Sequence, residues 1–271
     1  MPVTLDQIVQ ATRARVAGTK AATDLAVLTR QAEQHQPRGF ARALRQASKR
    51  GVGIIAELKK ASPSRGVIRA SFHPAQLAAE LELAGATALS VLTDEEFFQG
   101  SLDYLRKAHG AVEIPLLRKD FIIDEFQIVE ARANCADAIL LIVAALSDND
   151  LGLLNRRAKE FGLDVLCEVH DERELDRALA AGCDIIGVNS RDLRTFQVNL
   201  NTAFELGPKI PAGKLRIAES GISTGDDIAR LRVAAYDAFL IGESLMKSER
   251  PGETLAELIG SAERAQKVAA R

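Results

Sequence analysis

Charged side chains stand in this chain where apolar, strand-like segments end. Glu57 and Lys59 close the segment GIIAELK, Lys119 follows PLLR, and Glu168 follows VLC. Carboxylates and ammonium groups in one place can perform general acid–base chemistry. A structural ion pair at a strand end is the alternative reading for any one of them. Their repetition over several segments indicates a catalytic site, because burying charges without a task is costly.

Two later segments extend the same pattern. Asn189 ends IIGVN and Glu219 ends LRIAE. Side chains alternate between the two faces of a strand, so the deeper residues that share a face with these groups are Leu117, Leu166, Ile185, Gly187, Leu215 and Ile217. Those residues are small or apolar, and the polar group always comes last. If the strands are parallel neighbours, all of these polar groups meet at one edge of the sheet.

Glycines follow the last two strand-like segments. Gly221 lies in AESGIS and Gly242 lies in IGES. Backbone amides at such turns can bind a phosphate group, and in eight-stranded α/β barrels the loops after the seventh and eighth strands often do so. A glycine after one strand can equally be an ordinary turn. The pair predicts a phosphorylated small-molecule substrate.

Strand-like and helix-like segments alternate eight times after residue 52. This pattern predicts a single (β/α)8 TIM barrel, whose active sites lie at the carboxyl ends of the strands. A doubly wound open sheet is the competitor, but the glycines of GVGIIA precede their strand, and no dinucleotide-binding turn follows it. We expect one domain over residues 1–271, with residues 1–52 as a helical extension that caps one end. Its helices are predicted from the Thr4 capping box to about Gly18, and from Arg38 to Arg50.

The composition limits the class of protein. Of 271 residues, 47% are hydrophobic, and 35 Lys plus Arg balance 37 Asp plus Glu, so no global charge attracts nucleic acid or membranes. No apolar run reaches membrane-spanning length, and the N-terminus lacks a signal-like core, so we expect a cytoplasmic protein. Neither the four histidines nor the three cysteines show metal-ligand spacing, so we expect no metal site and reduced thiols at Cys135, Cys167 and Cys183. We expect a monomer, with a dimer as the alternative.

The chain resembles the indole-3-glycerol phosphate synthase family of tryptophan biosynthesis over nearly its whole length. The resemblance is carried, in the family's order, by IIAELKKASPSRG, SVLTDEEFFQGS, PLLRKDFIIDEFQI, ADAILLIV, LCEVH, GVNSRDL, AESGI and DAFLIGESLM. Departures are Asn134–Cys135, where a small residue and glycine are common, and Ala235–Tyr236, where a glycine often precedes the last strand. Glu243 stands at a phosphate-loop position, where we expect its carboxylate to point away.

The resemblance implies ring closure of 1-(2-carboxyphenylamino)-1-deoxyribulose 5-phosphate to indole-3-glycerol phosphate, with loss of carbon dioxide and water and without a cofactor. It implies that Lys119 is the general acid and that Glu57 and Glu168 are general-base or supporting carboxylates. Lys59 would bind either the benzoate carboxylate or the phosphate. Further active-site positions implied are Asn189, Glu219 and Ser220, with Ser62, Phe98, Phe121, Leu140 and Arg191 as substrate neighbours, and Gly221, Gly242 and Glu243 at the phosphate.

Other interpretations remain for particular residues and for the whole chain. Phe98 and Phe121 are as well explained by packing as by a substrate pocket. His170, beside Glu168, is expected to be a solvent-exposed loop histidine. A Schiff-base aldolase using Lys59 or Lys119 as nucleophile is the nearest rival enzyme, and a catalytically silent phosphosugar-binding barrel is the rival from another class.

Overall fold

The computed structural model describes residues 3–193 and 195–269, with side chains described to residue 266. Over these residues the elements are α1 (Leu5–Ala22), α2 (Leu25–Gln34), α3 (Phe40–Arg50), β1 (Gly53–Leu58), β2 (Ala61–Ser62), β3 (Gly66–Val67), α4 (Pro74–Leu83), β4 (Ala88–Leu92), α5 (Leu102–His109), β5 (Leu116–Lys119), α6 (Glu125–Ala133), β6 (Ala138–Ile142), α7 (Asp148–Glu160), β7 (Asp164–Val169), α8 (Glu172–Ala180), β8 (Ile185–Asn189), α9 (Asn201–Leu206), β9 (Leu215–Glu219), α10 (Gly225–Val233), β10 (Ala238–Ile241), α11 (Glu243–Lys247) and α12 (Pro251–Ala269). None of the helices in the described part of the chain is long and apolar enough to cross a membrane.

Eight parallel strands close into a barrel in the order β1, β4, β5, β6, β7, β8, β9, β10. The last strand pairs with the first, for example Ala56 with Ile241. Sequential parallel strands with helical crossovers give the (β/α)8 topology. The predicted fold class is therefore confirmed.

Two apolar layers surround the strands. The barrel interior contains one buried cluster, whose strand residues are Ile55, Ala88, Leu117, Ala138, Leu140, Ile142, Leu166, Ile185, Leu215, Ile217, Ala238 and Leu240. The opposite faces of the strands pack against the helices, and in β1 these residues are Ile54, Ala56 and Leu58. The alternation read from the sequence is confirmed for β1, β5, β7, β8 and β9, so Glu57 shares the inner face with Ile55.

The N-terminal extension packs against the barrel. Phe40 and Leu44 of α3 are fully buried in the inner cluster. Asp137 and Asp164, at the N-terminal ends of β6 and β7, accept hydrogen bonds from the backbone amides of Arg38 and Ala41 at 2.7 and 2.9 Å. Helix α3 therefore closes the N-terminal end of the barrel, as predicted for a helix of the extension.

Helix α1 reaches toward the other end. Arg15 donates to Asp120, the residue after β5, at 3.1 Å, and Ile8 belongs to the inner cluster together with Phe121. The capping box of Thr4 is confirmed, because Gln7 N donates to the Thr4 hydroxyl at 3.3 Å and Thr4 N donates to the Gln7 side chain at 2.9 Å.

Several local predictions were incomplete. Helix α1 ends at Ala22 rather than at Gly18, and α2 was not predicted. Helix α3 begins at Phe40 rather than Arg38, because Gly39 adopts a left-handed φ of 82° that interrupts the helix. The segment after β1 forms the antiparallel hairpin β2–β3, which was not predicted.

The prediction of three reduced cysteines is wrong for two of them. Cys167 in β7 and Cys183 before β8 form a disulfide, with Cα atoms 6.4 Å apart and a sequence separation of 16. Both lie in the buried layer between strands and helices. The pairing was missed because only parallel strand packing brings these positions side by side. Cys135 is a free thiol.

Candidate active site

A cavity of about 670 Å³ opens at the carboxyl ends of the strands. It is lined by nearly all the predicted site residues: Glu57, Lys59, Ser62, Phe98, Lys119, Phe121, Leu140, Glu168, Asn189, Arg191, Ser220, Gly221, Gly242 and Glu243. Glu219 does not line the cavity, but it contacts Lys119. The structure thus brings together residues that are spread over most of the sequence.

Lys119, the last residue of β5, lies among three carboxylates. Its Nζ atom is 2.8 Å from Glu219 Oε2, 3.4 Å from Glu168 Oε2 and 4.0 Å from Glu57 Oε2. Burial by itself would lower the pKa of Lys119, but the three carboxylates outweigh it and raise that pKa well above its ordinary value. Lys119 is therefore a firmly held cation at neutral pH.

The carboxylates around Lys119 are in unequal environments. Burial would raise the pKa of Glu168, but Lys119 and His170 lower it well below the usual range, so Glu168 is ionised. Burial raises the pKa of Glu219 to about 7, with Lys119 opposing the shift and Glu168 adding to it. Two carboxylates whose pKa values are pushed apart in this way can take different acid–base roles.

Glu57 belongs to a second ion pair at the tip of β1. Its Oε1 atom lies 2.6 Å from Lys59 Nζ. Burial would raise the pKa of Glu57, but Lys59 and Lys119 lower it below the ordinary value. The Glu57 carboxylate therefore connects the two lysines of the site.

His170 is not the solvent-exposed histidine that was expected. Its Nδ1 atom is 2.9 Å from Glu174, and its Nε2 atom is 3.4 Å from Glu168. Burial would lower the pKa of His170, but these two carboxylates raise it to about 10. The expectation failed because Glu174 lies on the first turn of α8, so only the folded chain places it over the strand end.

Glycine is needed at the two predicted phosphate-loop positions for different steric reasons. Gly221 has φ 79°, and a Cβ there would meet Val198 at 2.6 Å. A Cβ on Gly242 would meet the Cβ of Glu57 at 2.8 Å. Glycine allows the left-handed turn at the first position and a close approach of β10 to β1 at the second. Both leave backbone amides beside the cavity.

The carboxylate of Glu243, which is expected to point away from a bound phosphate, lies among three cations. It lies 3.1 Å from Arg191, 3.3 Å from Arg65 and 2.6 Å from Lys247. Burial would raise the pKa of Glu243, but Lys247, Arg191 and Arg65 lower it. The carboxylate thus holds three cations beside Gly242, where an anionic ligand would compete for them.

Apolar walls complete the cavity. The Phe98 and Phe121 rings lie 6.2 Å apart and tilted by 40°, so they pack on each other as well as line the cavity. Leu140 lies on the inner face of β6, and Ser62 is in the β2–β3 hairpin. An aromatic and aliphatic wall beside charged groups suits a ligand with a ring and an anionic end.

Two cations of this site were not singled out from the sequence. Arg65 lies in the turn between β2 and β3, and it approaches Glu243 only because the hairpin forms. Lys247 is four residues after Glu243 on α11, so the i,i+4 spacing was the available signal.

A model of the indole-3-glycerol phosphate synthase family matches residues 5–258. A protein of that name from Koribacter versatilis (strain Ellin345) is 56% identical over 260 residues, which cover 96% of this chain and 100% of the relative. Another from Bordetella pertussis (strain Tohama I / ATCC BAA-589 / NCTC 13251) is 51% identical over 236 residues, which cover 86% of this chain and 90% of the relative.

Solved structures support the fold alone. A thiamine phosphate pyrophosphorylase from Pyrococcus furiosus has a TM-score of 0.60 at 16% identity, covering 81% of this chain and 98% of that chain. A mandelate oxidase has a TM-score of 0.62 at 15% identity, covering 89% of this chain and 94% of that one. The sequence comparisons are more specific, and on them the chain belongs to the indole-3-glycerol phosphate synthase family.

Proposed function

We propose that the cavity binds 1-(2-carboxyphenylamino)-1-deoxyribulose 5-phosphate and converts it to indole-3-glycerol phosphate, with Lys119 as the general acid. The relatives from Koribacter and Bordetella carry the name of the enzyme that makes this product. The observation that carries the assignment of roles is the buried Lys119 ammonium, which faces the cavity with three carboxylates within 4.0 Å.

The first step forms a carbon–carbon bond. The ring carbon that bears the carboxylate attacks the ketone, the substrate's own nitrogen supplies the electrons, and the carbonyl oxygen becomes an alkoxide. A cation positioned to donate a proton stabilises that charge. The high pKa of Lys119 disfavours proton release to water, but an alkoxide is a stronger base than an amine. Glu219, 2.8 Å away and with a pKa near 7, can return a proton to Lys119.

The second and third steps release carbon dioxide and water. Loss of carbon dioxide leaves the electrons of the broken bond in the ring. Departure of the hydroxyl group as water then requires one group to protonate it and another to take a proton from the adjacent carbon. Glu168, which is ionised, and Glu57, which is ionised and paired with both lysines, are the candidate bases. Asn189 and Ser220 line the same cavity and position the substrate.

The substrate's two anionic ends need separate partners. We assign the phosphate to the backbone amides beside Gly221 and Gly242 and to the cations now paired with Glu243. Lys59 pairs with Glu57, whose carbon atoms pack against Gly242, and this proximity supports assigning Lys59 to the phosphate rather than to the benzoate carboxylate. Phe98, Phe121 and Leu140 then contact the aromatic ring.

The Schiff-base aldolase is disfavoured by the same electrostatics. A nucleophilic lysine must be neutral, whereas three carboxylates keep Lys119 charged. Purified protein incubated with the carboxyphenylamino substrate should produce indole fluorescence, and borohydride should trap no adduct. Absence of fluorescence, or a trapped lysine adduct, would reject the proposal.

A further inference from the structure

Three possible metal ligands lie together at the N-terminal end of the barrel, opposite the cavity. They are His35, which follows α2, His109 at the end of α5, and Cys135 between α6 and β6. One donor atom of each residue lies within 4.8 Å of the other two. The sequence spacing shows no metal signature, because the three residues belong to separate connections that meet only in the folded chain.

His35 is oriented by a buried carboxylate. Its Nε2 atom lies 3.1 Å from Asp137 Oδ1, and Asp137 also accepts from the amides of Arg38 and Leu116 at 2.7 and 2.6 Å. Histidines that bind metals typically donate their other ring nitrogen to a carboxylate, which fixes the ring and its tautomer. The contact with Asp137 leaves Nδ1 of His35 available as a ligand.

His109 has an unsatisfied ring nitrogen. Its Nδ1 atom is buried without a hydrogen-bond partner, a state that folded proteins generally avoid. Its Nε2 atom is in a long contact of 3.4 Å with Arg38, whose guanidinium has shorter hydrogen bonds to the carbonyls of Ile114 and His109. A metal ion at Nδ1 would satisfy the orphaned atom, and because the ring proton would then be on Nε2, only the long contact with Arg38 would be lost.

Cys135 adopts a strained backbone conformation at the position where its thiol joins the cluster. Its φ is 68°, in the left-handed region, which glycine adopts without strain and other residues adopt at a cost of roughly 1 kcal/mol or more. It is also the free cysteine of the described chain. A residue that costs stability and provides a sulfur ligand is consistent with a binding role.

We propose that His35, His109 and Cys135 bind a divalent transition metal of the zinc class. Two imidazoles and a thiolate are ligands that zinc prefers, with water able to fill a fourth tetrahedral position. Donor atoms in such a site are about 3.3–3.8 Å apart, given Zn–N and Zn–S bonds of about 2.0–2.3 Å, so small side-chain rotations bring donors that lie within 4.8 Å of one another to this spacing. The Arg38 charge opposes the ion, and the thiolate and Asp137 offset it.

The ion would join the N-terminal extension to the ends of α5 and α6. In this architecture the catalytic face lies at the other end of the strands. The ion is therefore expected to stabilise the fold and to leave catalysis unchanged.

Untagged protein, stripped with a chelator and desalted, tests the proposal with Zn²⁺ and Co²⁺ as probes. We expect one equivalent of Co²⁺ to give a thiolate charge-transfer band and the visible bands of a tetrahedral site, and Zn²⁺ to displace it. Zn²⁺ should also raise the thermal unfolding midpoint without changing kcat.

Cys135→Gly and His109→Ala are the informative variants. Glycine relieves the left-handed strain, so the Cys135→Gly protein should fold at least as well as the parent while losing the Co²⁺ band and the Zn²⁺-induced shift. His109→Ala should lose both as well, and His73→Ala, an unrelated histidine, should retain both. No band in the parent, or a shift that persists in both cluster variants, would overturn the proposal.

Discussion

The Lys119 ammonium and the Glu219 carboxylate form a 2.8 Å ion pair between the tips of β5 and β9. The pair leaves Glu219 Oε1 buried without a hydrogen-bond partner. Burial and the neighbouring carboxylates keep the pKa of Glu219 near 7 although a lysine contacts it. A charged donor therefore lies beside a group that can exchange protons at neutral pH.

Replacing Lys119 tests the general acid. Lys119→Ala should lower kcat by a factor on the order of 10² to 10⁴, the usual contribution of general acid–base catalysis. Lys119→Arg keeps the charge among the carboxylates but cannot release a proton, so it should fold normally and be comparably inactive. Indole fluorescence measures the rate, and Lys107→Ala, an exposed lysine, is the control. An arginine variant with nearly full activity would contradict proton donation by Lys119.

His170 makes stability depend on pH. Its pKa is about 10 in the folded protein against 6.5 for the ordinary group, so the folded state binds an extra proton between these values. The resulting stabilisation is complete below pH 6.5 and disappears as the pH rises through 10.

His170→Asn should remove that contribution. We expect the free energy of unfolding to fall by roughly 2–4 kcal/mol at pH 6 and by much less at pH 10. Urea denaturation at both pH values measures the difference, and His73→Asn is the matched control. Equal losses at the two pH values would show that protonation of His170 does not contribute.

Glu243 is expected to compete with the substrate's phosphate. Because its carboxylate holds Arg65, Arg191 and Lys247, Glu243→Gln should free these cations. We expect a lower KM and stronger inhibition by inorganic phosphate, each by roughly 3- to 30-fold, since exposed to partly buried charge pairs contribute on the order of 0.6–2 kcal/mol. The value of kcat should change little.

Glu249→Gln provides the control for Glu243→Gln. Glu249 is exposed and close in sequence, so its replacement changes the net charge equally without touching the three cations. If both variants alter phosphate inhibition to the same extent, the effect is general electrostatics, and the competition model is wrong.

Much of the fold and site follows from local pattern. Alternation along β1 correctly predicted that Glu57 and Ile54 lie on opposite faces of the strand, because side chains of a strand point to the two faces in turn. The exposure of His170 was misjudged, and the cations around Glu243 were not foreseen, for a common reason. Their partners lie on helices and loops whose side chains reach the strand ends only after packing, and a period along the chain carries no information about such contacts. The same limit hid the Cys167–Cys183 disulfide.

Arg118 lies at the end of β5, next to Lys119, but on the opposite face of the strand. It precedes Lys119 in β5, so its side chain lies on the helix side, where it is fully buried. It lies 2.9 Å from Asp120 and 2.8 Å from Glu130, and it donates to Thr93 and to the Gln127 carbonyl. Adjacent cations in the sequence therefore have separate tasks, one in the cavity and one in holding β5 to α6.

Arg118→Met should destabilise the protein without altering the chemistry. Methionine has a similar length but leaves the buried Glu130 carboxylate without its cation and Asp120 with Arg15 alone, and breaking a buried pair in this way costs about 3–5 kcal/mol. Urea denaturation at pH 7 should show this loss, with the fraction that remains folded keeping its kcat. Arg250→Met, at an exposed arginine, should change stability by less than about 1 kcal/mol. Arg118 is the main cation that lowers the pKa of the buried Asp120, so its loss should raise that pKa, and the deficit of Arg118→Met should shrink as the pH is lowered toward 5 and Asp120 takes up a proton. A deficit independent of pH would mean that lost packing, rather than unpaired charge, explains the role of Arg118.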